Sequence, residues 1–233
     1  MANRTQSLVP RWAPILLFML IQPVSARDQS ASDLLNRAMA ATPDLAHGEA
    51  LFRRSCVRCH EARGSGTGAR EFPRLAGQQR EYLLQELVQF ITLDRYAPQM
   101  HQILIQPDFA DPQSLSDLSS YLAALHYDSF GEHGDGHRIG RGRQIYNERC
   151  AGCHGAAGEG RAQVAIPAVG GQNYTYLLTQ LGGFAAGHRG KVESSLADAV
   201  GSLSRDDMRA VADFMSRMPE SVDPHYGVVD VGR

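Results

Sequence analysis

Two stretches decide how this chain is read: Cys56-Val57-Arg58-Cys59-His60 and Cys150-Ala151-Gly152-Cys153-His154. Each spells C-x-x-C-H, the attachment signature of a c-type haem. Two cysteines one helical turn apart can bond to the two vinyl groups of one porphyrin, and the adjacent histidine then meets the iron from the proximal side. The chain has four cysteines and the two sites use them all, so none is left for a disulfide. A structural zinc site needs further ligands at matched spacing. A redox dithiol gives no reason for a histidine after each pair. Two covalently bound haem c groups are therefore expected, held by Cys56, Cys59, Cys150 and Cys153, with His60 and His154 on the iron.

Working outward, the chain is one unit written twice. Cys59 and Cys153 stand 94 positions apart. The same offset carries Gly48 to Gly142, Phe52 to Tyr146, Pro73 to Pro167, Gly77-Gln78 to Gly171-Gln172, Tyr82 to Tyr176, Phe90 to Phe184 and Arg95 to Arg189. A register kept this long implies tandem domains. Residues 45–126 form the first unit, residues 127–137 read as a polar, glycine-bearing linker, and residues 138–233 form the second.

Each unit opens with a short helix (Leu45–Arg54; Arg141–Arg149) carrying a glycine and, four residues on, an aromatic on the same face. A glycine-rich loop follows each haem motif. No Lys-Ser or Lys-Thr pair comes after it, so a phosphate cradle is not indicated. Pro73 and Pro167 follow their histidines by thirteen residues. Their carbonyls are placed to accept the histidine Nδ1–H and so orient the ring, a common arrangement for metal-bound histidine. A longer helix over Arg80–Leu93 carries Leu83, Leu84, Leu87, Val88 and Ile91 at helical spacing. Its copy near Tyr174–Phe184 reads as interrupted by Gly182-Gly183. The last helix recurs with Leu115, Leu118, Tyr121, Leu122 and Leu125 matched by Met208, Val211, Phe214, Met215 and Met218. Its offset of 93 implies one lost residue. Tyr121 and Phe214 are the expected partners of the Gly48 and Gly142 faces.

Ahead of the repeat, Arg4 and Arg11, an apolar run from Trp12 to Ile21, and Val24-Ser25-Ala26 read as a secretory signal peptide over residues 1–26. The run is about half the length a membrane span needs. No later segment is apolar enough to cross a bilayer, so none is expected after signal cleavage. Export places the chain in the bacterial periplasm, since c-type haem is attached outside the cytoplasm. Residues 27–44 form an N-terminal extension, with Ser32 or Asp33 as the cap of a helix carrying Leu34, Leu35, Ala38 and Met39. The formal charge of −2 falls to −4 once Arg4 and Arg11 leave with the signal. No basic stripe exists, which excludes nucleic acid as a partner.

The two C-x-x-C-H sites, Pro73-Arg74-Leu75-Ala76-Gly77-Gln78 with Tyr82-Leu83, the looser copy Pro167-Ala168-Val169-Gly170-Gly171-Gln172 with Tyr176-Leu177, and the F-x(4)-R segments resemble the diheme cytochrome c4 family over about residues 45–220. The resemblance implies an all-α fold of two tandem class I cytochrome c domains, each wrapped around one haem and related by a pseudo-twofold. It implies electron transfer between redox protein partners, among them a membrane terminal oxidase or a dehydrogenase. It also implies a distal methionine, and Met100, five residues after Arg95, fits for the first haem. A thioether ligand favours ferrous iron and raises the potential.

The second copy departs from the pattern. Adding 94 to Met100 gives Ser194, a poor iron ligand, while Met208, Met215 and Met218 occupy core positions. His188, Lys191 or Glu193 in the same loop, His225 in the tail, or an open position remain for the second iron, with His188, Lys191 and an open site ahead. The two haems are then inequivalent. The second has the lower potential, and electrons run from it to the first. An electron carrier needs no catalytic residue, because the cofactor does the chemistry. The alternatives are a ligand-binding or catalytic haem protein or sensor using an open second iron on peroxide, NO or O₂, and a cytochrome subunit of a larger oxidoreductase.

Overall fold

A computed structural model describes residues 24–67, 71–109, 111–126, 131–189 and 194–219. The expected signal segment lies outside these residues up to position 23, as do Lys191, Glu193 and His225. Among the described residues the chain is helical, with no β-strand, and its two isolated bridges, Thr67 with Phe72 and Arg161 with Ile166, sit 94 positions apart. An N-terminal helix, α1 (Val24–Ala40), precedes α2 (Leu45–Ser55), α3 (Val57–His60), α4 (Arg80–Thr92), α5 (Pro98–Leu104) and α6 (Pro112–Ala124). The second domain repeats the last five as α7 (Ile139–Arg149), α8 (Ala151–His154), α9 (Tyr174–Ala185), α10 (Ser194–Gly201) and α11 (Arg205–Ser216). Each domain has its own apolar core, one built on Leu51, Phe52, Leu84, Leu115 and Leu118, the other on Ile145, Tyr146, Leu177, Val211 and Met215.

The frame of each domain is the crossing of its first and last helices. At Gly48 a Cβ would lie 2.2 Å from the Asp117 carbonyl oxygen and 2.8 Å from Tyr121 Cβ. At Gly142 it would lie 2.1 Å from the Ala210 oxygen and 2.8 Å from Phe214 Cβ. Only a missing side chain permits this approach, and the aromatic four residues on fills the space beside it. Phe52 meets Tyr121 with ring centroids 5.8 Å apart, and Tyr146 meets Phe214 at 5.7 Å. Gly48→Ala is therefore expected to lower the unfolding free energy by about 1–3 kcal/mol through overpacking against backbone that cannot move aside. Guanidinium denaturation of the haem-loaded protein checks it, and an unchanged midpoint would contradict the contact.

Three local expectations change. Helix α1 is not capped at Ser32 or Asp33, because the described chain is already helical from Val24 and no glycine or proline interrupts it there. Helix α9 runs unbroken through Gly182-Gly183 to Ala185. Leu177, Leu178, Leu181 and Phe184 hold its apolar face to the core, and this packing outweighs the glycine propensity cost. Third, the segment before α7 reads as a solvated spacer, but residues 132–136 form a strap on the second domain. Glu132 accepts from the Thr175 hydroxyl at 2.6 Å and the Thr175 amide at 3.1 Å. The buried Asp213 carboxylate accepts from the Gly134 and Gly136 amides at 3.0 and 2.7 Å.

The corresponding surface of the first domain is covered by α1. Arg80, itself buried, donates to Ser116 Oγ and Ser120 Oγ on α6 at 2.9 Å each and to the Ala38 carbonyl at 3.0 Å. Thus α6 and α11 each receive an outside segment through buried polar groups that are fully hydrogen-bonded, the condition under which burying them is tolerated.

Candidate functional site

Each C-x-x-C-H motif forms a single helical turn that follows the first helix almost without a break. The Cys56 amide donates to Phe52 O at 2.9 Å and the His60 amide to Cys56 O at 2.9 Å. In the second motif the Cys150 amide donates to Tyr146 O at 2.8 Å and the His154 amide to Cys150 O at 2.9 Å. The turn puts the two thiols of each pair on one side, one turn apart, with the histidine following. Before haem is attached, burial pushes the Cys56 thiol up to about 12 and the Cys150 thiol up to about 11.

The histidines are held from behind. His60 Nδ1 lies 3.1 Å from the Pro73 carbonyl oxygen, and His154 Nδ1 lies 2.9 Å from that of Pro167. With Nδ1–H donated to a carbonyl, Nε2 is the nitrogen left with a lone pair for a metal. Burial pushes both imidazoles down, toward the neutral form that ligation needs. The glycine loop explains how the carbonyl gets so close. Gly66 and Gly160 have φ of +69° and +71°, and a Cβ on either would sit 2.4 Å from Phe72 O and Pro73 O, or 2.4 Å from Ile166 O and 2.6 Å from Pro167 O. These glycines serve the histidine's support, not an anion.

The domains differ in how they brace this turn. In the second, Arg161 donates to the carbonyls of Cys153 and Gly152 at 3.1 and 3.2 Å, fastening the C-terminal end of the turn. The first domain has Thr67 at that place.

Between the domains the repeat becomes a pseudo-twofold interface. Gln78 Nε2 donates to Ala168 O and its Oε1 accepts from Ala168 N, both at 2.9 Å. Gln172 does the same to Arg74, at 2.9 and 2.8 Å. Gln79 reaches Glu159 O at 2.7 Å, and its counterpart Asn173 reaches Ser65 O at 3.1 Å. Each F-x(4)-R segment stacks its guanidinium on its own phenylalanine, Arg95 over Phe90 at 4.5 Å and Arg189 over Phe184 at 4.9 Å. Each arginine then crosses the boundary, Arg95 to the Tyr176 hydroxyl at 3.1 Å and Arg189 to the Tyr82 hydroxyl at 3.2 Å. One carboxylate breaks the symmetry. Glu86 pairs with both Arg189, at 2.9 Å, and Arg95, while its counterpart Gln180 accepts from the same two arginines without a charge.

The pseudo-twofold was expected, but sequence reasoning missed the residues that build its interface, although Gly-Gln recurring at the repeat offset was their signal. An amide beside a tight glycine turn, written twice, has a partner to meet.

Met100 lies on α5, part-buried against the first core, and the next residue anchors the helix through His101 Nδ1, 2.9 Å from Phe90 O. In the second domain Met208, Met215 and Met218 are all buried in the core. His188 is exposed, on a turn closed by its amide to Gly183 O at 2.9 Å.

Thiols in pairs, neutral imidazoles tied through Nδ1 and a part-buried thioether form a donor set that suits an iron porphyrin. Among the described residues, no three His, Cys, Asp or Glu side chains gather to hold a bare metal ion. The comparisons agree. The cytochrome c family model matches the chain twice, over residues 45–126 and 139–219. Cytochrome c4 of Pseudomonas aeruginosa is 30% identical over 188 residues, spanning 75% of this chain and 89% of that one. A thiosulfate dehydrogenase electron acceptor of Stutzerimonas stutzeri is 29% identical over 171 residues, spanning 70% and 79%. The crystal structure of reduced recombinant cytochrome c4 from Pseudomonas stutzeri superimposes with a TM-score of 0.66 at 25% identity, covering 76% of this chain and all of that one. The repeated fold, the paired C-x-x-C-H turns and these likenesses place the chain in the diheme cytochrome c4 family, an electron carrier with two covalently bound c-type haems.

Proposed function

We propose that Cys56 and Cys59 hold the first haem and Cys150 and Cys153 the second, with His60 and His154 as proximal ligands oriented by Pro73 and Pro167. Met100 is the distal ligand of the first iron. The observation that carries this reading is the pair of histidine–proline contacts, made alike in both domains at one sequence offset. The haems supply reversible one-electron iron chemistry. The chain's own residues fix the imidazoles and hold the two domains in one relative orientation. Peptide mapping of the matured protein tests the assignment. Two haem-bearing peptides are expected, one containing residues 56–60 and one containing 150–154, and a haem on any other peptide overturns it.

In this reading the protein works in the periplasm, with residues 1–26 removed as a signal peptide. Among the described residues no helix is long and apolar enough to cross a membrane. Electrons arrive from a dehydrogenase, for which the thiosulfate dehydrogenase electron acceptor offers the likeness, and leave toward a terminal oxidase. They enter at the lower-potential second haem and leave from the first. Reduction by a thiosulfate dehydrogenase fed thiosulfate, followed in the Soret band, is the expected result. A protein that is reduced by chemical donors but by no such enzyme would overturn this choice of donor.

A further inference from the structure

The distal side of the second domain does not follow the register that relates the rest of the repeat. At an offset of 94, α5 would map onto residues 192–198, and the buried Leu104 would fall on Asp198, which is exposed. The helix actually ends at Gly201. An offset of 96 restores the match from Met100 to Ile105 except at part-buried His101, which falls on exposed Ala197. Leu104 then falls on the buried Val200, part-buried Ile103 on part-buried Ala199, exposed Gln102 on exposed Asp198, and exposed Ile105 on exposed Gly201. Met100 falls not on Ser194 but on Leu196, which is part-buried against the second core as Met100 is against the first. Each stands four residues before the fully buried residue of its helix, so each occupies the same face one turn back.

The bookkeeping of the chain closes on this register. Arg95 and Arg189 make equivalent cross-domain bonds at offset 94, and the last helices pack equivalently at offset 93. Two residues are therefore gained between Arg189 and Leu196, and three are lost between Val200 and Met208. The single lost residue inferred from sequence is the net of these two changes.

We infer that Leu196 takes the distal place in the second domain, so that this haem presents an aliphatic face and binds a small neutral external ligand of the class of CO or NO. Leucine has no lone pair to offer iron. The three nearby methionines are fixed in the core. His188 is exposed and its backbone is tied back to Gly183. An apolar, part-buried side chain leaves room for a diatomic molecule while offering no charge or hydrogen bond to an anion. The inference rests on the reading of Met100 as the first iron's ligand, and the test separates the two.

Carbon monoxide titration of the reduced, haem-loaded protein is expected to show one CO per chain. Met100→Ala raises this to two. Leu196→Met, nearly volume-conserving, lowers it to none and adds a second methionine–iron charge-transfer band in the oxidised protein. His188→Ala and Lys191→Ala, the latter removing the chain's only lysine, leave the count at one and the oxidised spectrum unchanged. No CO uptake by the parent protein overturns the inference, as does a His188 or Lys191 variant with an altered oxidised spectrum. A Leu196→Met protein that still takes up CO and shows no second band overturns the placement of Leu196. Two CO per parent chain overturns the Met100 reading beneath it.

Discussion

Met100→Ala lowers the potential of the first haem by on the order of 0.1 V or more, within the ~0.8 V that axial ligation spans among haem proteins. A thioether is a soft donor that favours the ferrous state, so its removal destabilises the reduced form. His101, the adjacent residue, is held to its own helix by the contact of its Nδ1 with the Phe90 carbonyl. The substitution also erases the methionine–iron charge-transfer band and reverses or abolishes the downhill step from the second haem to the first. Spectroelectrochemistry of the variant against the parent reads all three. A potential and band unchanged by the substitution would remove Met100 from the iron.

The second large effect belongs to Glu86. Its carboxylate is 11% exposed and faces two guanidiniums, each 13% exposed, one from each domain. Glu86→Ala leaves Arg95 and Arg189 opposed in a space that water enters poorly. Breaking a buried ion pair by removing one partner costs about 3–5 kcal/mol, because the remaining charge is uncompensated. Since the two arginines belong to different domains, the loss falls on the docking between them. Denaturation of the variant is expected to separate into two steps, one per domain. Glu86→Gln copies Gln180 and keeps one acceptor oxygen while losing the charge and the second acceptor, so its effect is smaller. A Glu86→Ala protein that unfolds in one step at the parent midpoint would show that the arginines do not depend on this carboxylate.

How much of this was legible in the sequence depends on how local each feature is. The haem turns, the proline supports and the Gly48 and Gly142 crossings were readable because each needs particular residue types at fixed spacing, and both copies repeat them. Helix α9 was harder. Propensity counts against Gly182-Gly183, while the packing of Leu181 and Phe184 that overrides it is tertiary. The strap was misread for a similar reason. Residues 132–136 look solvated until Asp213, 77 or more positions away, supplies their amides with an acceptor. Glu86 looks like an ordinary surface acid of α4, and only the neighbouring domain reveals two arginines waiting for it. On the register inferred above, the distal side of the second domain is hard to read from sequence because a gain of two residues and a loss of three nearly cancel. A constant offset hides such a pair of changes, and burial exposes it.

The most direct measurement is a potentiometric titration of the matured protein followed by optical and spin-resonance spectra. The account predicts two one-electron steps at separate potentials. The higher belongs to a low-spin haem with a methionine–iron band, and the lower to a haem without one. Two steps at one potential with two methionine bands, or a protein that takes up a number of electrons other than two, would contradict it.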